Sequence, residues 1–313
     1  MNTAISTGVR AVLTALVPLA TLTAQAATLT VGADQTYKLP SEAARMAKAG
    51  DTIRIATGTY LDCAVWTADD LLIEGDGAGT IVTGPICGDK ALFIIRGNNT
   101  VVRNITFAAA AGRASNGAGI RAEGRNLTVE DSVFDHDQDG ILAGRNPQST
   151  ILIRHSTFEG NGACEPNAGC AHAVYVGQIG LLRIEHSRFA DTKIGHDIKS
   201  RAARTEIVDT TIEDGPEGTS SYLVDLPNGG SLVLSGNTLE KGSLSSNPVA
   251  VAIGEEGVTQ PIEVLSIEDN VFANDGAQNA VFVRNATPVA AQLRGNSLKG
   301  HATAALSGPG RID

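Results

Sequence analysis

Aromatic residues make up only 4% of the 313-residue chain, with one Trp, four Tyr and seven Phe, and Met occurs twice. So few large apolar side chains argue against a helical bundle. Gly is abundant at 35 residues, which suits a chain rich in turns. Positive charge is also short, with 24 basic residues against 34 acidic ones and a net charge of −10. A polyanion such as nucleic acid is therefore excluded as the expected partner, although a local basic cluster can still hold an acidic ligand. The four cysteines include no Cys-x-x-Cys pair, which removes the usual zinc site. No apolar run is comfortably long enough to span a bilayer.

The longest apolar run, Ala11 to Leu22, follows a single charge at Arg10 and precedes Ala24-Gln25-Ala26. That is the pattern of a cleavable leader over residues 1–26, cut after Ala26. It predicts a periplasmic or secreted protein. The cysteines agree with export if they pair as Cys63–Cys87 and Cys164–Cys170, the alternative being buried free thiols.

The strongest signal is a repeat. A small polar residue, one variable position and a large apolar residue recur as Ser132-Val-Phe134, Ser156-Thr-Phe158, Ser187-Arg-Phe189, Thr210-Thr-Ile212, Asn237-Thr-Leu239, Asn270-Val-Phe272 and Asn296-Ser-Leu298, with Ile105-Thr-Phe107 ahead of them. The apolar ends are 23 to 33 residues apart, and five of the seven Phe fall among them. Period two puts the polar and apolar members on one strand face, so stacked coils would form an inward apolar column beside a Ser/Thr/Asn ladder. A second column runs through Ile120, Ile141, Val174, Ile198, Val224, Val251 and Val281. Short strands repeating about every 25 residues, with no helical period, indicate a parallel β-solenoid.

The pattern, with its opening run Ala49-Gly-Asp-Thr-Ile-Arg-Ile55 and Gly58-Thr-Tyr60, resembles the right-handed parallel β-helix of the pectate-lyase-like superfamily. The fold class expected is all-β, as one domain over 27–313. Residues 27–66 form an N-terminal cap with a helix over Ser41–Gly50, coils fill 67–300, and 301–313 is a tail. The resemblance implies a fold that hosts lyases, hydrolases, epimerases and binding proteins, so activity must be argued from a site.

That site is expected where the second column carries polar neighbours. One place after the column stand Arg121, Tyr175, Lys199 and Asp225. Two places before it stand Asp139, His172, His196 and Tyr222, taken to lie in the turn entering each strand, and three places after it is Arg201. Two His and two Tyr in register are notable in a chain with six His and four Tyr. His155 and His186 take the place of Asn104, Asp131 and Asp209 and read as turn residues.

The candidate catalytic residues are therefore His172, Tyr175, His196, Lys199 and Arg201, with Asp139, Tyr222, Asp225 and Arg121 as substrate contacts. Such a set suits β-elimination or C5 epimerisation on a uronic-acid polysaccharide. Lys199 or His196 would be the base, Arg201 and His172 would neutralise the carboxylate, and Tyr175 would exchange a proton with the sugar. The partner expected is a polysaccharide, met by a monomer.

Hydrolysis is the alternative, with Asp139, Asp197 and Asp225 as carboxyls. Gly195-His196-Asp197 resembles the Gly-His-Gly element of polygalacturonases and Asp139-Gly-Ile141 their Asp-Gly-Ile run, but their paired Asp is replaced by His172-Ala-Val-Tyr175. Binding of a glycan without cleavage is the third reading. Asp135, Asp137 and Asp139 match the first half of a calcium loop, with Asn146 in place of its closing Glu. Asp135-His-Asp137 also loosely resembles an element of alginate epimerases, lacking its Pro. Calcium is the one candidate cofactor.

Overall fold

Three long parallel sheets wind through the computed structural model, which describes residues 1, 3–5, 8, 25–77, 79–165 and 169–313. The leader expected over 1–26 lies mostly outside the described residues. One sheet has twelve strands, from Thr28–Val31 to Gly310–Ile312, and two have ten. Each coil gives one strand to each sheet, and the chain is a right-handed parallel β-helix. No helix among the described residues is long and apolar enough to cross a membrane.

The repeat motif forms one of the ten-stranded sheets. Phe107, Phe134, Phe158, Phe189, Ile212, Leu239, Phe272 and Leu298 pair coil to coil in register. Phe134, Phe158 and Phe189 stack with ring centroids 4.6 and 4.5 Å apart. Trp66 heads the same inner stack, 5.3 Å from Phe93, and is wholly buried.

Beside the rings the polar ladder satisfies backbone that would otherwise be buried unpaired. The Ser132 N–H donates to Ser156 Oγ, Ser156 N–H to Ser187 Oγ, and Thr210 N–H to Asn237 Oδ1. Asn237 N–H and its Nδ2 both donate to Asn270 Oδ1. At the tight turn before each rung, Asn104, Asp131, His155, His186, Asp209 and Asp269 all adopt positive φ. Short polar side chains tolerate that left-handed conformation best. Asn270→Ala orphans the buried Asn237 donors and the Leu234 carbonyl that Asn270 Nδ2 serves. The expected loss is about 1–3 kcal/mol, read as a lower urea midpoint.

Four expectations need correction. The helix is Pro40–Met46, with Leu39 rather than Ser41 as its N-cap. Proline is pre-organised for the first helical position, Glu42 accepts from the Lys38 and Leu39 N–H groups, and the Ser41 N–H is taken by Asp62. Strands Ala302–Ser307 and Gly310–Ile312 carry two sheets past residue 300. The second column continues through Val283, since Val251 pairs with Val283 and Val249 with Val281. Phe282 accordingly packs inward, 5.2 Å from Phe272, and does not face solvent.

The last correction concerns strand parity. Ala173 and Val174, Leu223 and Val224, and Ala250 and Val251 are adjacent pairs that both enter the core. Two consecutive inward residues break the alternation, as a bulge does, so the residue two before the column faces out. His196 and Tyr222 thus begin the strands His196–Ser200 and Tyr222–Leu226 themselves, not the turns before them.

Both expected disulfides are present, Cys63–Cys87 and Cys164–Cys170. The second closes the antiparallel hairpin of Ala163–Glu165 and Gly169–Ala171, whose tip at 166–168 lies outside the described residues.

Candidate functional site

The outward face of the second ten-stranded sheet carries the polar cluster. Tyr175, Lys199 and Asp225 are direct neighbours on successive coils, and His196 pairs with Tyr222. Across them runs a second side-chain ladder. Asp139 Oδ1 accepts from the His172 N–H at 2.8 Å, His172 Nδ1 from the His196 N–H at 3.0 Å, and His196 Nδ1 from the Tyr222 N–H at 3.1 Å. A nitrogen that accepts a hydrogen bond carries no proton. Each neutral imidazole must therefore hold its proton on Nε2.

The rings of His172 and His196 stack at 4.7 Å, and Tyr222 stacks on His196 at 5.1 Å. Gly195, at φ 77°, lets the chain pass under His172, where a Cβ would strike the Ala171 carbonyl.

Burial sets the charge states. It pushes His172 well below the usual imidazole range, helped by the positive charge of Lys199 and Arg201. Burial first, then Lys199 and Lys241, lower His196 to about 3. Desolvation raises Asp225 to about 6 against the pull of Lys199. Both rings are thus neutral donors at ordinary pH. His196 Nε2 lies 3.4 Å from Asp225 Oδ2, whereas His172 Nε2 has no hydrogen-bond partner among the described residues and lines the cleft.

Two cations complete the floor. Lys199 Nζ is 3.5 Å from Asp225 and 3.2 Å from Glu256. Arg201 donates through Nε to Tyr175 Oη at 3.0 Å, pairs with Glu256 at 2.8 Å, and bonds Asn228. The phenol oxygen is then an acceptor from Arg201 with its own proton left to give. The cleft, of about 420 Å³, is lined by His172, Tyr175, His196, Lys199 and Arg201 together with Ile194, Gly195, Ser221 and the Cys170 hairpin.

The five candidate catalytic residues therefore converge on one cleft, but the other candidates divide. Asp225 is a floor residue, 3% exposed. Tyr222 props His196 and donates through its hydroxyl to Glu255. Asp139 is buried beneath the His172 main chain, where desolvation raises it to about 7, and it cannot meet a sugar. Arg121 lies two coils toward the N-terminus, in a separate cleft of about 210 Å³ with Arg145.

The calcium loop weighed as a possibility does not assemble among the described residues. Asp135 turns to His136, buried Asp137 takes the Ala110 N–H, and Asp139 takes that of His172. No group of three His, Cys, Asp or Glu is placed to hold a metal among the described residues. Asp197, a carboxyl of the hydrolytic alternative, is wholly buried and bound to Thr192.

Sequence reading missed Glu256, Asn228 and Gln260. All three lie in loops, outside the columns, so no periodic signal marks them.

No protein-family model matches the chain, and no curated protein matches it in sequence. Among solved structures it is similar to pectin methylesterase from Aspergillus niger, at 14% identity and a TM-score of 0.52, over 90% of this chain and 89% of that one. It is also similar to ORF18 of Geobacillus virus E2, at 14% identity and a TM-score of 0.58, over 86% of this chain and 55% of the viral one. What it shares with both is the parallel β-helix.

Proposed function

We propose that this is an exported protein, a single β-helix domain, that acts on a uronic-acid-containing polysaccharide by β-elimination or C5 epimerisation. One observation carries the reading. A neutral imidazole N–H, two cations and a phenol meet in one cleft, while the carboxylates that touch those cations, Asp225 and Glu256, lie outside its lining. That arrangement receives a carboxylate and exchanges a proton beside it. Pectin methylesterase lends the fold, and the chemistry rests on the cleft alone.

In this mechanism the sugar carboxylate meets Arg201, Lys199 and the His172 Nε2–H. A base removes the proton on the carbon beside it, and the electron pair spreads into the carboxylate, where the same donors stabilise it. For elimination the bond to the leaving oxygen breaks, that oxygen gains a proton, and a conjugated double bond remains. For epimerisation a donor on the other side of the sugar supplies a proton to the opposite face, and the base keeps the one it took.

His196 does not serve as the base, because Nδ1 is occupied and Nε2 already bears a proton. Lys199, held between two carboxylates, acts as a cation. Proton transfer falls to Tyr175: acting as phenolate, steadied by the Arg201 N–H, it takes the carbon proton, and the phenol so formed gives that proton to the leaving oxygen. The hydrolytic alternative loses Asp139 and Asp197 to burial.

The test is ultraviolet absorbance during incubation with polygalacturonate, alginate, glycosaminoglycans and bacterial exopolysaccharides. A conjugated unsaturated product establishes elimination. Proton exchange from solvent without that product establishes epimerisation. New reducing ends without either would sink the proposal in favour of hydrolysis.

The pH profile is a second test. Ionised Asp225 stands 3.4 Å from His196 Nε2 and 3.5 Å from Lys199 Nζ, and burial raises its carboxyl to about 6. Activity is therefore expected to fall as pH drops through about 6. Neither imidazole contributes a limb there, because both stay neutral well below it. Asp225→Asn is expected to remove that acid limb while lowering the plateau. An unchanged limb in the variant would show that another group sets it.

A further inference from the structure

The loop after the strand Val249–Ile253 reaches back over two coils to the cleft, and Glu256 is what it delivers. The Glu256 carboxylate bridges Lys199 at 3.2 Å and Arg201 at 2.8 Å, the same cations that face an incoming anion. Its exposure is the reverse of theirs. The Glu256 side chain is 48% exposed, whereas Lys199 and Arg201 are 13% and 22% exposed. The cations belong to the floor, and the carboxylate rests on them from the solvent side.

The loop is fastened apart from that carboxylate. Gln260 donates to the Arg201 carbonyl, Asn228 Nδ2 to the Gly257 carbonyl, and the Thr259 and Gln260 N–H groups to the Asn228 carbonyl. Its backbone therefore stays in place if the Glu256 side chain swings out. Partial burial opposes ionisation of Glu256, but Arg201 and Lys199 outweigh it and hold the group below the usual carboxylate range. It is a carboxylate whenever the cations need an anion.

We propose that Glu256 occupies the seat of the substrate's carboxylate as an internal competitor, which a sugar's own carboxylate must displace in order to bind. The inference rests on the reading of the cleft as a uronate site. A neutral sugar brings no charge to replace Glu256 and leaves the seat filled. An acidic sugar exchanges one carboxylate for another and keeps Lys199 and Arg201 paired. The displaced side chain moves into solvent, where a carboxylate is well hydrated, so the exchange costs little.

The experiment compares Glu256→Gln and Glu256→Ala with the wild-type full chain. Nuclear magnetic resonance titrations give the affinity for monomeric galacturonate and for neutral galactose, and steady-state kinetics follow any polymer that is turned over. Removing the competing charge is expected to tighten galacturonate binding, and to lower KM, by about fivefold. Affinity for galactose stays within about twofold of wild type, since a neutral sugar makes no use of the seat.

Tighter galacturonate binding with no polymer turned over supports the seat and leaves the catalytic reading to fail on its own. A large fall in kcat at constant KM overturns the proposal, since Glu256 would then be a reacting group. Weaker or unchanged galacturonate binding in both variants, or none in any form, overturns it as well.

Discussion

Tyr175→Phe is expected to lower turnover of a uronate polymer by about 10²–10⁴-fold, the usual worth of a positioned acid–base group. The change removes one oxygen. The ring keeps its place against His172, 5.4 Å away edge to face, and beside Leu142 on the preceding coil. Stability should change by less than the about 1–3 kcal/mol typical of a group left buried and unpaired, because Arg201 retains Glu256 and Asn228 as partners. The fall is expected in kcat with little change in KM, which marks an interaction made in the transition state. Arg201→Ala is expected to behave differently. It removes the guanidinium from the carboxylate seat and the donor from Tyr175 together, so KM rises and kcat falls. Arg201→Lys should recover little, since an ammonium cannot reach both Tyr175 and Glu256 with a planar fork. If Tyr175→Phe keeps near-normal kcat on a polymer the wild type cleaves, Tyr175 moves no proton and another group in the cleft must.

The fold was legible because a solenoid writes its period into its columns. Eight coils pairing Phe, Ile and Leu in one register leave few other folds. The same periodicity put Tyr175, Lys199 and Asp225 in one line. It misled where local parity changes. Alternation alone cannot choose between Val281 and Val283 around Phe282, and the inward pairs that settle the choice are features of the packed core. It also could not tell outward His196 from buried Asp197 beside it. Glu256 and Asn228 were illegible because loops have no period, yet the lengths of the repeats hold a clue. The widest spacings, Phe158 to Phe189 and Leu239 to Phe272, contain the disulfide hairpin and the Glu256 loop. Both insertions flank the cleft, so unequal repeat lengths pointed to the site independently of residue type.

Lys241→Met is expected to cost about 3–5 kcal/mol of stability, the usual price of breaking a buried ion pair from one side. Lys241 is 1% exposed and Asp214 wholly buried, with Nζ 3.3 Å from Oδ2. Nζ also donates to the Ser220 and Ser221 carbonyls and to Ser220 Oγ. Asp214 in turn accepts from the Ser220 and Gly242 N–H groups, so it keeps two partners after its cation has gone. Asp197 lies in the same pocket of charge, and burial, then Asp214, raise it to about 8. The sign of the pH effect follows. A carboxyl raised above its unfolded value favours the fold at low pH, and that contribution is lost as pH rises through the folded value. Without Lys241 nothing offsets the carboxylates, so the deficit of the variant against wild type should grow from acid to alkaline pH. Asp214→Asn combined with Lys241→Met should recover part of the loss by removing the stranded charge. Urea unfolding of the three proteins across pH measures each step. A deficit that shrinks as pH rises, or a double variant no better than the single one, would show that Lys241 supports the fold by packing alone. The site should register the change too. The Ser221 N–H donates to the Gly195 carbonyl at 2.6 Å, and the next N–H, of Tyr222, fixes the proton of His196 on Nε2. The buried charges therefore stand one residue away from the bond that makes His196 a donor.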